Sequence, residues 1–241
     1  MATLIIDLCS IFFFLRTLDH VCHIYDKNRV KWGVLNSACD DGKAKIEVDW
    51  KDDPRAYVCY NPREPILPVY KEPKLHCDSL PKNYMPLHFC MNETIKYNST
   101  VPTYGDHRPI WPKFGEYEYV PPQRWLHNIE HGAVVMLYHP CTHHAVVDEL
   151  RQLVKGCIRK HVITPYNEIP EERPLSLVAW GCHLSMSYVD KKTVFEFIRS
   201  KGLHGPEGMY PKEGQYTYKL KKLAIPPKGS DLEDSKLCPQ I

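Results

Sequence analysis

Residues 125–141 read WLHNIEHGAVVMLYHPC, and the fold is decided by how this block divides. Its second half, residues 132–138 (GAVVMLY), is an unbroken β-branched and apolar run, the pattern of a strand buried on both faces. Downstream, Val146, Val147, Leu150, Leu153, Val154, Cys157 and Ile158 recur at helical spacing through residues 143–161, with Thr142 as N-cap. Residues 175–180 (LSLVAW) predict a second strand. Asp190 then caps a helix through Ser200, with Val194, Phe197 and Ile198 facing inward and Gly202 at its end. The order strand, helix, strand, helix predicts an α+β fold with a compact α/β unit, assigned to residues 97–217 together with the stretch before it.

That stretch, residues 97–122, is rich in Pro, Tyr and Trp. Its prolines break any helix, and its aromatics predict that it lies against a surface. Residues 23–96 form a polar, cysteine-bearing, loop-rich lobe, in which residues 45–50 (KIEVDW) alternate like a strand. Residues 218–241 are polar and read as a flexible tail. At the other end, residues 4–15 (LIIDLCSIFFFL) have the length of a signal peptide and fall short of a membrane span. Residues 1–22 are therefore assigned to a signal peptide or short anchor, with no other apolar segment long enough to span a bilayer.

The chain carries 31 basic and 29 acidic residues. Such a balance argues against nucleic acid as a partner, since phosphate neutralisation needs a basic excess. Ten cysteines, none in a C-x-x-C pair, exceed what a reduced compartment favours. Cys39, Cys59, Cys77, Cys90, Cys141, Cys157, Cys182 and Cys238 are the disulfide candidates, eight cysteines with many pairings open. Two sequons at Asn92 and Asn98 (Asn92-Glu93-Thr94 and Asn98-Ser99-Thr100) point to luminal exposure and glycosylation. The expected location is the secretory-pathway lumen, the cell surface or the medium, with an extracellular or membrane protein as partner.

The first half of the block holds the chemistry. His127-x-x-Glu130-His131 fits the H-x-x-E-H form of the zinc-peptidase motif, in which two histidines one helical turn apart share a metal and the glutamate activates its water. Gly132 follows at once and opens a strand, so the motif reads as a turn into a strand rather than as part of a long helix. A non-catalytic metal site at His107, His127 and His131 fits this setting better than a peptidase does. Three imidazoles suit zinc or copper, with Met136 or Cys141 as a soft donor for copper. A purely structural reading competes, in which the histidines hydrogen-bond backbone carbonyls or Glu130. His143 and His144 read as surface residues. Cys141 and the pair Cys182-His183 could form nucleophiles, but oxidising conditions favour disulfides for both. No serine nucleophile elbow, phosphate loop or dinucleotide fingerprint is present.

Several long segments carry a resemblance: VPTYGDHRPIW from residue 101, GEY at 115–117, LHNIEHGAVVMLY, LYHPC, and ERPLSLVAWGC. On these the chain resembles the family of tumour protein p53-inducible protein 13, the animal branch of a widespread bacterial and eukaryotic domain of unknown function that carries HNxEHG. The resemblance implies a membrane-associated protein linked to growth suppression, with no assigned enzymatic activity. It also implies that a shared site would use His107, His127, Glu130 and His131. The family's animal form has a membrane segment after its ectodomain, and none follows residue 217 here. The expectation is a secreted or membrane-associated glycoprotein domain that works by binding, leaning away from an enzyme. A metal-dependent hydrolase with Glu130 as general base and a purely structural interaction module are the alternatives.

Overall fold

The computed structural model describes residues 36–208 and 213–240. The apolar N-terminal run, Cys9 and Cys22 lie outside the described residues. Among the described residues no helix is long and apolar enough to cross a membrane.

The fold is α+β, built on one seven-stranded sheet. The strands are β1 (Lys74–Cys77), β2 (Gly115–Tyr117), β3 (Val134–Tyr138), β4 (His161–Pro165), β5 (Leu175–Ala179), β6 (Cys182–Met186) and β7 (Leu220–Leu223). Across the sheet they run β1-β6-β5-β3-β4-β2-β7. The predicted apolar strand, β3, is central, paired parallel to β4 and antiparallel to β5. Among the described residues three α-helices accompany the sheet: α1 (Pro122–Glu130), α2 (His144–Cys157) and α3 (Lys191–Lys201). The parallel β3–β4 pair needs a crossover, and α2 supplies it.

Alternation along the strands sorts two cores. Val134, Met136, Ile163, Leu177, Leu184 and Met186 face α2 and α3. Val135, Leu137, Val162 and Val178 face the opposite way, against Trp125, Leu126 and Ile129 of α1. The Pro-rich stretch closes this second side, with Trp111, Phe114 and Tyr117 buried, as its aromatic content predicts. Helix α2 begins at His144 and not after Thr142, because the His143 ring accepts the N–H of Ala145 as the N-cap. It stops at Cys157, where the chain turns extended into β4. Asp190 caps α3 as its sequence predicts, accepting the N–H of Thr193.

Two segments differ from their sequence reading. Residues 46–48 form a 3-10 turn, not a strand. Lys45 sits at φ 57°, which no strand permits. Beyond the turn, Asp49 pairs with Arg108 and Trp50 packs on Tyr57 and Tyr119. The segment after residue 217, read as a tail, is tied down instead. It supplies β7 to the sheet edge beside β2. Buried Asp234 then accepts the N–H groups of Arg159 and Lys160, and Cys238 bonds to Cys157.

The eight candidate cysteines form four disulfides: Cys39–Cys90, Cys59–Cys141, Cys77–Cys182 and Cys157–Cys238. They span 51 to 105 residues of sequence. Loops of this length are worth about 2–4 kcal/mol each by restricting the unfolded chain. Residues 36–96, loop-rich as predicted, are thereby bound to β6 through Cys77–Cys182 and to the loop between β3 and α2 through Cys59–Cys141, rather than forming a separate unit.

Candidate metal centre

Helix α1 has nine residues and starts at Pro122, after Pro121 as N-cap; the fixed φ of Pro122 suits a first turn where no N–H is needed. It places His127 and Glu130 one turn apart on one face. The sequence reading had this motif at a turn. The helix is real but short, and ends where Gly132 takes φ +80°. The chain from α3 packs over this end: the N–H of Leu203 donates to the carbonyl of Gly132, and that of Glu207 to Glu130. Gly205 lies so close that a Cβ there would sit 2.1 Å from the Glu130 carbonyl oxygen.

His107 arrives from the Pro-rich stretch, and His88 from the lobe before it. The two meet in an isolated parallel bridge, with Phe89 N–H donating to the His107 carbonyl and His107 N–H to that of Leu87. The result is a cluster of His88, His107, His127 and Glu130, all buried, in which one ligand atom from each lies within 4.8 Å of the others. His107 Nε2 is 3.0 Å from Glu130 Oε2, and His88 Nε2 is 3.9 Å from it. The second Glu130 oxygen, Oε1, has no hydrogen-bond partner among the described residues.

Two of the three rings are oriented from behind. His107 Nδ1 sits 2.9 Å from the Gly105 carbonyl and His127 Nδ1 2.7 Å from that of Arg108. A carbonyl can only accept, so both rings carry the proton on Nδ1. Nε2 of each ring is thereby the position open to a cation, which at His107 would displace the proton shared with Glu130, the arrangement found behind metal-bound histidines. Burial pushes the His127 imidazolium well below its ordinary value, and the neighbouring histidines add to this. Burial lowers His88 too, against the pull of Glu130. Burial alone would raise Glu130, but pairing with His107 and His88 outweighs it and holds the carboxyl at about 2. Neutral imidazole and ionised carboxylate are the forms that bind a cation.

The structure thus brings together His107 and His127, joined by Glu130 and by His88. His131 is not one of the four converging ligands, although its ring stacks on that of His127 at 5.1 Å between centroids. As C-cap of α1 it stacks on Trp111, 4.4 Å between centroids, with Nε2 3.4 Å from Glu207 Oε2. The soft donors weighed for copper are elsewhere. Met136 packs in the core on the α2–α3 side of the sheet, and Cys141 is bonded to Cys59. Cys182 is likewise committed to Cys77. Sequence reasoning missed His88. Its one local signal was a histidine set in an apolar run two residues before a cysteine (PLHFC).

Fold and site together define a disulfide-bonded α+β domain with a buried three-histidine, one-carboxylate cluster. The chain belongs to the family described as a protein of unknown function (DUF3105), whose model matches residues 88–214, more than half the chain and all four cluster residues. It is also similar to tumor protein p53-inducible protein 13 of Rattus norvegicus, with 30% identity over 66 residues. That match covers 27% of this chain and 17% of the relative. No solved structure matches.

Proposed function

We propose that this protein is a secretory-pathway or extracellular binding domain that holds one zinc ion at His88, His107, His127 and Glu130, the ion serving to fix the fold. The observation carrying this reading is the convergence of four buried ligand atoms within 4.8 Å, with two of the three rings oriented by backbone carbonyls. Nitrogen and oxygen donors without sulfur favour zinc over monovalent copper. Four protein ligands in a buried setting match a structural site, since catalytic zinc keeps one position for water. Glu130 belongs to the ligand set, which leaves it no role as a separate general base, so a hydrolase is the weaker reading. Four disulfides and exposed Asn92 and Asn98 support the compartment.

The test is elemental analysis of the chain secreted with zinc in the medium. About one zinc per chain is expected, lost in H107A and H127A and reduced in E130Q. A wild-type protein without metal, or variants that keep full occupancy, would overturn the assignment.

A further inference from the structure

On the α1 side of the sheet, the helix covers β3 and β4, and among the described residues no helix covers the β6–β1 end. A cleft of about 710 Å³ lies there. The register places His76 opposite His183 and Lys74 opposite Ser185, and all four line it. One wall is the segment carrying Tyr97 and Tyr104, and another is the 170–173 loop with Arg173. None of the four residues of the metal cluster lines the cleft.

The acidic groups of the cleft are already engaged. Asp78 accepts from Thr103 and contacts His76, Asp106 accepts the N–H of Leu87, and Glu172 pairs with Lys71 and Arg173. The basic groups are not used up in the same way. Lys74 and Lys96 form no ion pair among the described residues, and both are exposed. Arg173 pairs with Glu172 and donates to the Glu72 carbonyl through its terminal nitrogens, which leaves its Nε, like His183 Nδ1, buried without a hydrogen-bond partner. The groups left over are therefore cationic or able to donate, and they call for an anionic, acceptor-rich ligand. Beside them stand Tyr104, 38% exposed and edge-on to Tyr84, and the hydroxyl side chains of Thr94 and Ser99. An aromatic face beside hydroxyls suits a sugar ring and its hydroxyl groups. The volume is that of a small organic ligand and is far larger than a lone anion needs.

We infer that this cleft is a binding site for an acidic saccharide, read through Lys74, Lys96 and Arg173 for its charge and through Tyr104 for its ring. The test is calorimetry with a sulfated uronic-acid disaccharide, against a neutral disaccharide and inorganic sulfate. The protein is the secreted chain after removal of N-glycans, because Asn98 lies at the cleft. The acidic disaccharide is expected to bind at least about tenfold more tightly than either control. The double variant K74Q/K96Q, altered at exposed positions free of ion pairs, is expected to lose about tenfold or more. Tyr104→Ala is expected to weaken the disaccharide and leave sulfate unchanged. No binding, equal affinity for sulfate, or an unaffected double variant would overturn the inference. Zinc content is a separate readout, so failure here leaves the metal assignment standing.

Discussion

Arg108 is fully buried and commits its whole guanidinium: Nε and one terminal nitrogen to Asp49, the other nitrogen to the carbonyls of Phe89 and Cys90. Its own carbonyl orients His127. Replacing it by Met leaves the buried Asp49 carboxylate with only the 3.8 Å contact to Arg124, and a loss of about 3–5 kcal/mol is expected by urea denaturation. A loss below about 1 kcal/mol would show that Asp49 finds another partner. His161 gives a pH prediction at the same scale. Burial pushes it down to about 4, against the hydrogen bond from its ring to the Ile158 carbonyl. The unfolded chain takes up a proton near the ordinary value of 6.5, while the native ring resists. Stability is therefore lost as pH falls from about 6.5 toward 4, by up to about 1.4 kcal/mol per pH unit. His88 and His127, also lowered, add to the same slope. The fall in denaturation midpoint should be smaller in H161Q, and an unchanged slope would sink the assignment.

Among the elements, β3, β5, α2 and α3 were legible because each carries a local period or an apolar run long enough to stand out. Helix α1 was not. Almost all of its residues are buried, among them Arg124, His127, Asn128 and Glu130, so it shows no polar face to mark the helical period. Its charged groups are neutralised by partners far away in sequence, such as Asp40 for Arg124. Strands β1, β2 and β7 are three or four residues long and exist through their neighbours. The same distance in sequence explains the site. Histidines at 107 and 127 lay in motif-like surroundings, whereas His88 is brought in by a single bridge to His107. The C-terminal segment was misread because its polar composition says nothing of Asp234 or of the Cys157–Cys238 bond. A C157A/C238A variant is expected to lose about 2–5 kcal/mol. The Lys160 N–H, held by Asp234, should then exchange faster with deuterium. Unchanged exchange would mean that the segment is held by its other contacts.

At the level of the whole molecule, the compartment reading has its own check. Asn92 and Asn98 are both exposed, and secretion from a eukaryotic host should give a mass excess that a glycan-removing enzyme abolishes. A product with neither glycan nor disulfides would sink the secretory assignment. The disulfides also bear on where this domain can be cut. The family match runs over residues 88–214. Each of the four bonds has one cysteine inside that stretch, Cys90, Cys141, Cys157 or Cys182, and its partner outside. Asp40 and Asp49, which neutralise Arg124 and Arg108, also lie outside. An excised fragment of the matched residues would carry four orphan thiols and two bare buried guanidinium groups. In this protein the recognisable module is not portable: its boundary in sequence cuts through every covalent staple that closes it.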